Sequence, residues 1–181
     1  TQAERATAEV DRLTHRIDQV LALARSDAGA LLRGRTDASA VIRDRLAEAA
    51  LIAAEGDLIL DAFVDADVVV MVTEAPLARV VDELLGNAFA YARARVEVSL
   101  SVQGEFAALV VEDDGPGLPT AERERVFNRF VRGDGAAPGG SGLGLALVRE
   151  TARACGGDAV AIPSQLGGLA VRTTWPVASR S

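Results

Sequence analysis

One glycine-rich stretch constrains the fold of this chain more than any other feature of its sequence. Eight of its 17 glycines lie between Asp113 and Gly144, after a predicted strand and up to the start of a predicted helix. Glycine loses more conformational freedom on folding than any other residue, so such a stretch disfavours a regular helix or strand. The regular elements must therefore be joined by a long irregular connection, and a strict βαβ repeat is not predicted.

Helices and strands are mixed on both sides of this stretch. Heptad spacing of apolar residues over Thr1–Arg25 predicts a long helix that needs a partner helix, and Ser26–Gly29 ends it. Thr36 or Asp37 can cap a second helix. Further helices are predicted over residues 75–91 and 142–154. Strands are predicted at residues 58–64, 68–72, 95–102, 106–111, 159–162 and 169–175. This mixture predicts an α+β fold, a two-layer α/β sandwich preceded by one long N-terminal helix.

Composition excludes several classes of function. All 19 basic residues are Arg, and the absence of Lys excludes a P-loop and a Schiff-base mechanism. The net charge of −7 argues against nucleic-acid binding. A lone cysteine, Cys155, excludes intrachain disulfides and Cys-rich metal sites. The longest apolar run, Val68–Val72, is too short to cross a bilayer, so no membrane contact is predicted. Because Thr1 already lies in a predicted helix, we interpret the chain as part of a longer protein.

The first motif that carries chemistry lies on the predicted helix 75–91. Glu83 and Asn87 are four residues apart and share one helix face, and Tyr91 continues that line one turn later. A carboxamide oxygen is a suitable ligand for Mg²⁺, and a nearby carboxylate can hold a coordinated water or take a proton. Taken alone, the pair is equally typical of a solvated helix face.

The second and third motifs are rich in glycine. Asp113-Asp114-Gly115-Pro116-Gly117 follows a strand, where glycines let the backbone approach a planar ligand and an acceptor-only carboxylate favours a base edge with an amino group. A dinucleotide fingerprint fails there, because no third glycine follows at the required spacing. Gly139–Val148 runs from glycines into an amphipathic helix whose free N–H groups can receive phosphate oxygens.

The order and spacing of these motifs resemble the GHKL superfamily of ATP-binding proteins, and within it the sensor histidine kinases. Val126–Arg132 is similar to the F box of that family, and Cys155-Gly156-Gly157 stands where its members usually have His-Gly-Gly. The resemblance implies a catalytic ATP-binding domain of the Bergerat fold over residues 30–178. Residues 1–29 resemble the second helix of the dimerisation hairpin.

The resemblance assigns roles to individual residues. Asn87 would be catalytic and hold the Mg²⁺ that bridges the nucleotide phosphates, and Tyr91 would pack near the adenine or ribose. Asp113 would accept a hydrogen bond from the adenine amino group, in a pocket shaped by Gly115, Gly117 and Leu118. Residues from about 128 to 141 would form the ATP lid. The residues expected around the phosphates are Gly140, Ser141, Gly142, Leu143 and Gly144.

Several positions depart from the family pattern. Glu83 stands where many members have Asn, and it could be either a residue of the outer Mg²⁺ shell or a general base. Ala90 replaces a residue that is often basic, and Arg93 or Arg95 could supply the missing phosphate contact. His15 is the only histidine. It is followed by Arg16, which cannot accept the proton from a phosphoacceptor ring, so we interpret it as a surface residue.

The resemblance implies a protein histidine kinase that uses Mg²⁺-ATP and transfers the γ-phosphoryl group to a histidine on a separate hairpin helix. The chain itself is then expected to bind ATP without autophosphorylating. Implied partners are that hairpin, in a homodimer of the full-length kinase, and a response regulator; the implied location is a cytoplasmic domain of a membrane-bound sensor. Three alternatives are an anti-sigma-type serine kinase, an ATPase of the gyrase and heat-shock type, and a nucleotide-binding module without turnover.

Overall fold

The computed structural model describes residues 32–131 and 142–178. The predicted helix over Thr1–Arg25, and His15 with it, lies outside the described residues. The helices are α1 (Ala38–Glu55), α2 (Glu74–Tyr91), α3 (Thr120–Arg123) and α4 (Gly144–Ala154), with a 3₁₀ turn at Arg125–Phe127. The strands are β1 (Thr36–Asp37), β2 (Ile59–Val64), β3 (Val69–Val70), β4 (Arg95–Gln103), β5 (Phe106–Asp113), β6 (Asp158–Pro163) and β7 (Leu169–Pro176).

The longer strands of the described chain form one mixed sheet in the order β2-β4-β5-β7-β6. Only the pairing of β2 with β4 is parallel, because α2 crosses over between them, and the other neighbours are antiparallel. The predicted β4–β5 hairpin is confirmed, with Val98 opposite Val111. The two-residue strands β1 and β3 pair separately. The predicted run at residues 68–72 therefore contributes only Val69–Val70 as a strand.

The hydrophobic core lies between one face of this sheet and helices α1, α2 and α4. The alternation in β4 buries Val96, Val98 and Leu100 completely against the helices. Asp37 caps α1, because its Oδ1 accepts a hydrogen bond from the backbone N–H of Ala40 at 3.0 Å. The predicted two-layer α+β sandwich is therefore confirmed for the described residues. No helix there combines the length and hydropathy that crossing a bilayer requires.

The irregular stretch contains short helices that the sequence pattern does not predict. Helix α3 and the following 3₁₀ turn lie within it, and the ring of Phe127 is buried between them and α4. Arg149 of α4 fixes this segment: its guanidinium lies 4.5 Å from the centre of the Phe127 ring and binds Glu124 at 2.6 Å and Asp158 at 3.3 Å. These contacts are distant in sequence, so local propensity does not reveal them.

The C-terminal part of the sheet is tightly packed around Gly157 and Trp175. Trp175 is 1% exposed, and its indole N–H donates to the hydroxyl oxygen of Thr173 at 3.0 Å. Gly156 has a positive φ of 89°, which ends α4 and turns the chain toward β6. A Cβ on Gly157 would overlap the carbonyl oxygen of Thr174 in β7. The Gly156-Gly157 pair is therefore required by the packing of α4 against the sheet.

Two glycine substitutions should have opposite effects on stability. Gly157→Ala should lower the free energy of unfolding by about 2 kcal/mol or more, because a methyl group would overlap backbone atoms of β7. Gly86→Ala should raise it by about 0.5–1 kcal/mol, because no atom lies within 4 Å of the added Cβ and Gly86 lies inside α2. Chemical denaturation of both variants measures the difference, and equal effects would contradict this description of the packing.

Candidate functional site

Three polar side chains follow one edge of α2. Glu83, Asn87 and Tyr91 are spaced at i, i+4 and i+8, and all are partly buried beside the apolar face of the helix. From the first to the last they span about 12 Å along the helix axis. The side chains of Asn87 and Tyr91 form no hydrogen bond with other described residues, so both remain available to a ligand.

The N-terminal end of this line reaches the first turn of α4. A Cβ on Gly144 would lie 2.5 Å from Oε2 of Glu83, so the absence of a side chain at residue 144 allows the carboxylate to approach α4 closely. Gly142, with a positive φ of 69°, brings the chain into this helix, and its carbonyl accepts a hydrogen bond from the Phe130 N–H at 3.0 Å. The free N–H groups of α4 therefore begin beside Glu83 and carry a partial positive charge.

The C-terminal end of the line reaches the turn after β5. A Cβ on Gly115 would overlap the carbonyl oxygen of Tyr91, and Gly117 has a positive φ of 67°. A Cβ on Gly117 would lie 3.0 Å from the carbonyl oxygen of Gly168. The glycines of the Asp-x-Gly-x-Gly motif are thus needed where the turn packs between α2 and the β6–β7 connection.

Asp113 is the last residue of β5 and faces the helix layer, where it is 2% exposed. Its Oδ1 accepts hydrogen bonds from the backbone N–H groups of Gly115 at 2.8 Å and Leu169 at 3.3 Å. Its Oδ2 receives no hydrogen bond from the described residues. Burial raises the pKa of Asp113, and the two backbone hydrogen bonds only partly oppose that effect. The carboxylate therefore presents one unsatisfied acceptor oxygen in a desolvated position.

The sequence pattern does not reveal the role of Asp114, which fixes the end of α2. Its carboxylate accepts hydrogen bonds from the backbone N–H groups of Arg93 at 2.8 Å and Ala94 at 3.1 Å. Desolvation opposes ionisation of Asp114, but hydrogen bonds with the backbone of residues 93–95 outweigh it and lower its pKa. A second acid directly after the pocket aspartate was the available signal for this role.

The structure places the motifs on two sides of α2. Glu83 contacts the Gly142–Gly144 segment, Tyr91 contacts the Gly115 turn, and Asn87 lies between them. Leu118 packs against the core, and its carbonyl accepts a hydrogen bond from Nε of Arg123 at 3.0 Å. Leu143 directly precedes α4. Two predicted site residues, Gly140 and Ser141, lie outside the described residues.

The arginines considered for phosphate binding have other partners or positions. Arg95 forms an ion pair with Asp61 at 2.8 Å, and its side chain belongs to the far face of the sheet. Arg129 binds Glu150 of α4 at 2.7 Å, and Arg132 is not among the described residues. Cys155 is buried with its thiol 3.9 Å from the carbonyl oxygen of Leu32, and burial raises its pKa. Its surroundings are those of a structural core residue.

Two adjacent carboxylates should show opposite pH effects on stability. Because the pKa of Asp113 is raised above 3.8, its contribution to the free energy of unfolding falls as the pH rises above that value. We expect Asp113→Asn to be at least as stable as wild type at neutral pH, with the advantage vanishing in acid. Asp114→Asn should be less stable at neutral pH, because the pKa of Asp114 is lowered and its contribution is lost only as the pH falls.

Thermal denaturation of both variants across this pH range provides the measurement. Marked destabilisation by Asp113→Asn at neutral pH would show that the buried charge is better compensated than its surroundings indicate.

Known proteins match the part of the chain that contains this site. The sequence profile described as histidine kinase-, DNA gyrase B- and HSP90-like ATPase matches residues 72–179. The chain is 45% identical over 104 residues to the sensor protein RstB of Escherichia coli K12, an alignment that covers 56% of this chain. It spans only 24% of the length of RstB.

Solved structures show the same architecture. The mycobacterial sensor histidine kinase MprB superimposes with a TM-score of 0.71 at 30% identity, over 82% of this chain and 100% of that chain. ShkA, solved in complex with AMPPNP, superimposes with a TM-score of 0.71 at 26% identity, over 82% of this chain and 32% of that chain. The predicted Bergerat architecture is therefore confirmed.

Proposed function

The chain belongs to the family of histidine kinase-, DNA gyrase B- and HSP90-like ATPases as an ATP-binding domain of the sensor histidine kinase type, and we propose that it binds Mg²⁺-ATP along the polar edge of α2 and transfers the γ-phosphoryl group to a histidine. One observation carries the proposal. The Glu83–Asn87–Tyr91 edge connects an anion-accepting helix terminus at Gly144 with a buried carboxylate at Asp113 that retains a free acceptor oxygen.

The Asp113 end of the site suits adenine. Adenine presents an N6 amino donor where guanine presents an O6 acceptor, so a carboxylate there favours the first and repels the second. Oδ2 of Asp113 would accept the amino hydrogen, while Oδ1 stays bound to Gly115 and Leu169. Tyr91 would pack near the adenine or ribose, and Gly115 and Gly117 leave room for the ring.

The Gly144 end suits the phosphates. The free N–H groups at the start of α4, together with the Gly142–Gly144 backbone, would receive phosphate oxygens. The predicted partners Gly140 and Ser141 would complete this part of the site. The aligned peptide dipoles attract an anion even though the net charge of the chain is −7.

The donor set near the phosphates fits Mg²⁺. Asn87 offers a hard amide oxygen that no described residue engages, and Glu83 offers a carboxylate near the same helix terminus. The described residues contain no group of three or more His, Cys, Asp or Glu side chains that could hold a metal ion. The remaining ligands would therefore be phosphate and water oxygens, as Mg²⁺ commonly requires. When bound, the cation would supply neutralisation of the negative charge on the phosphates.

The position of Glu83 favours one of its two predicted roles. Its carboxylate lies beside Gly144, where phosphate oxygens would also bind, and like charges at this distance repel each other unless a cation separates them. We therefore assign Glu83 to the outer Mg²⁺ shell, where it would hold a coordinated water. Arg79, whose Nε lies 4.0 Å from Oε1 of Glu83, would keep the carboxylate in the ionised form.

The proposed reaction is the transfer of one phosphoryl group. A ring nitrogen of the histidine attacks the γ-phosphorus, the bond to the β-phosphate oxygen breaks, and ADP leaves. The proton of the ring nitrogen passes to an acidic residue beside that histidine. The domain itself contributes binding, orientation and charge stabilisation, which account for most of catalysis in phosphoryl transfer. The proposed histidine belongs to the dimerisation hairpin of the same kinase, and the product would serve a response regulator.

Calorimetric titration with Mg²⁺-ATP tests the binding site. Asp113→Asn and Asn87→Ala should each raise the Kd by about 10- to 150-fold, because a hydrogen bond or ligand bond to a charged group contributes about 1.5–3 kcal/mol. Asp82→Ala, which removes an exposed carboxylate from the same helix, should leave the Kd unchanged. Unchanged affinity in either site variant would show that the assignment of that residue is wrong.

Incubation of the chain with γ-labelled ATP, with and without its cognate hairpin, tests the reaction. We expect acid-labile phosphohistidine on the hairpin and no label on the chain itself, because its only histidine is followed by Arg16. Acid-stable phosphoserine on a partner would instead support a serine kinase. Free phosphate alone would support an ATPase in which Glu83 activates water, and absence of turnover would support a binding module.

A further inference from the structure

Glu112 precedes the pocket aspartate but faces away from the proposed nucleotide site. Successive residues of a strand point to opposite faces of the sheet, so Asp113 faces the helices and Glu112 faces the open side. Glu112 therefore has no direct access to a nucleotide bound beside α2. Any effect it has on binding must be transmitted by other residues.

The carboxylate of Glu112 holds the start of the turn that connects β6 and β7. Its Oε2 accepts a hydrogen bond from the hydroxyl group of Ser164 at 2.8 Å and one from the backbone N–H of Gln165 at 2.8 Å. The Ser164 Oγ in turn accepts a hydrogen bond from the backbone N–H of Leu166 at 2.9 Å. One carboxylate oxygen thus fixes the first half of this turn.

The other half of the same turn holds Asp113. The backbone N–H of Gly168 donates to the Asp113 carbonyl oxygen at 3.1 Å, and the N–H of Leu169 donates to Oδ1 at 3.3 Å. The turn is closed by a hydrogen bond from the Ser164 N–H to the Gly168 carbonyl oxygen at 3.1 Å. A movement of Ser164 is therefore passed directly to the amides that orient the Asp113 carboxylate.

This arrangement leaves little freedom to the carboxylate of Asp113. A Cβ on Gly168 would overlap Oδ1, so the turn backbone lies directly against the carboxylate. With Oδ1 fixed between the N–H groups of Gly115 and Leu169, Oδ2 is held in one direction. Loss of the Leu169 contact would allow the group to rotate about its Cβ–Cγ bond.

Electrostatics alone does not account for a carboxylate at residue 112. Glu112 lies directly opposite Glu97 of β4, and like charges in that position destabilise a sheet. Arg172, on the same face of β7, forms no ion pair with it in the described structure. Hydrogen bonding to the turn is the favourable interaction that remains.

We propose that Glu112 is a positioning residue: through the Ser164–Gly168 turn it fixes the carboxylate of Asp113 and thereby sets the preference of the site for adenine over guanine. The proposal rests on the proposed function, in which Asp113 reads the amino group of adenine. It adds a residue outside the nucleotide site to the set that determines base specificity.

A pair of substitutions separates positioning from charge. Both Glu112→Ala and Glu112→Gln remove the negative charge, but only the glutamine retains an oxygen that can accept hydrogen bonds from Ser164 and Gln165. Glu97→Ala removes a neighbouring charge from the same face without a contact to the turn. The Kd values of Mg²⁺-ATP and Mg²⁺-GTP are measured by calorimetry for each variant, together with the melting temperature.

We expect Glu112→Ala to reduce the ratio of GTP Kd to ATP Kd by about tenfold or more, because small displacements of a binding group are costly. Glu112→Gln and Glu97→Ala should retain the wild-type ratio. A purely structural role would lower the melting temperature and weaken both nucleotides equally, which would overturn the proposal. An effect of equal size in Glu112→Gln would also overturn it, since charge would then be the cause.

The wild-type chain and Asp113→Asn make the two levels of inference distinguishable. If the wild-type chain binds neither nucleotide, the proposed function itself is wrong. If wild type prefers ATP and Asp113→Asn loses that preference while Glu112→Ala keeps it, only the role of Glu112 is wrong.

Discussion

The geometry of the site depends on the compensation of one buried carboxylate. Asp113 ends β5 on the helix side of the sheet, where loss of hydration destabilises the charged form unless polar groups replace the water. The backbone N–H groups of Gly115 and Leu169 provide that replacement, and they belong to turns that are far apart in sequence. Satisfying a single charge therefore also brings both turns together at the end of α2.

Helix α2 sets the distance between the two ends of the site. It is contacted by Gly144 near its middle and by Gly115 at its last residue, and each contact depends on a missing side chain. The intervening turns of a regular helix keep that separation constant. An acidic chain can in this way accept a polyanion, because backbone dipoles supply the positive potential that few side chains provide here.

Sequence alone predicts the parts of the molecule that depend on local pattern. Alternation in β4 and the apolar face of α2 predict the sandwich, and the order of the motifs predicts Asp113, Asn87 and Gly144 as neighbours of α2. The sequence does not predict the β1–β3 pair, the contacts of Arg149 with Glu124 and Phe127, or the link from Glu112 to Ser164. These depend on which distant segments meet after folding, and no local periodicity encodes that choice.

The position of the single tryptophan determines what intrinsic fluorescence can report. Trp175 lies six residues beyond Leu169 on β7, so about 20 Å of strand separates its indole from the Asp113 carboxylate. The ring is sealed in the core opposite Ala107. Its emission therefore follows the integrity of the sheet and is insensitive to events beside α2, which makes it a clean optical probe of unfolding and a poor one of ligand occupancy.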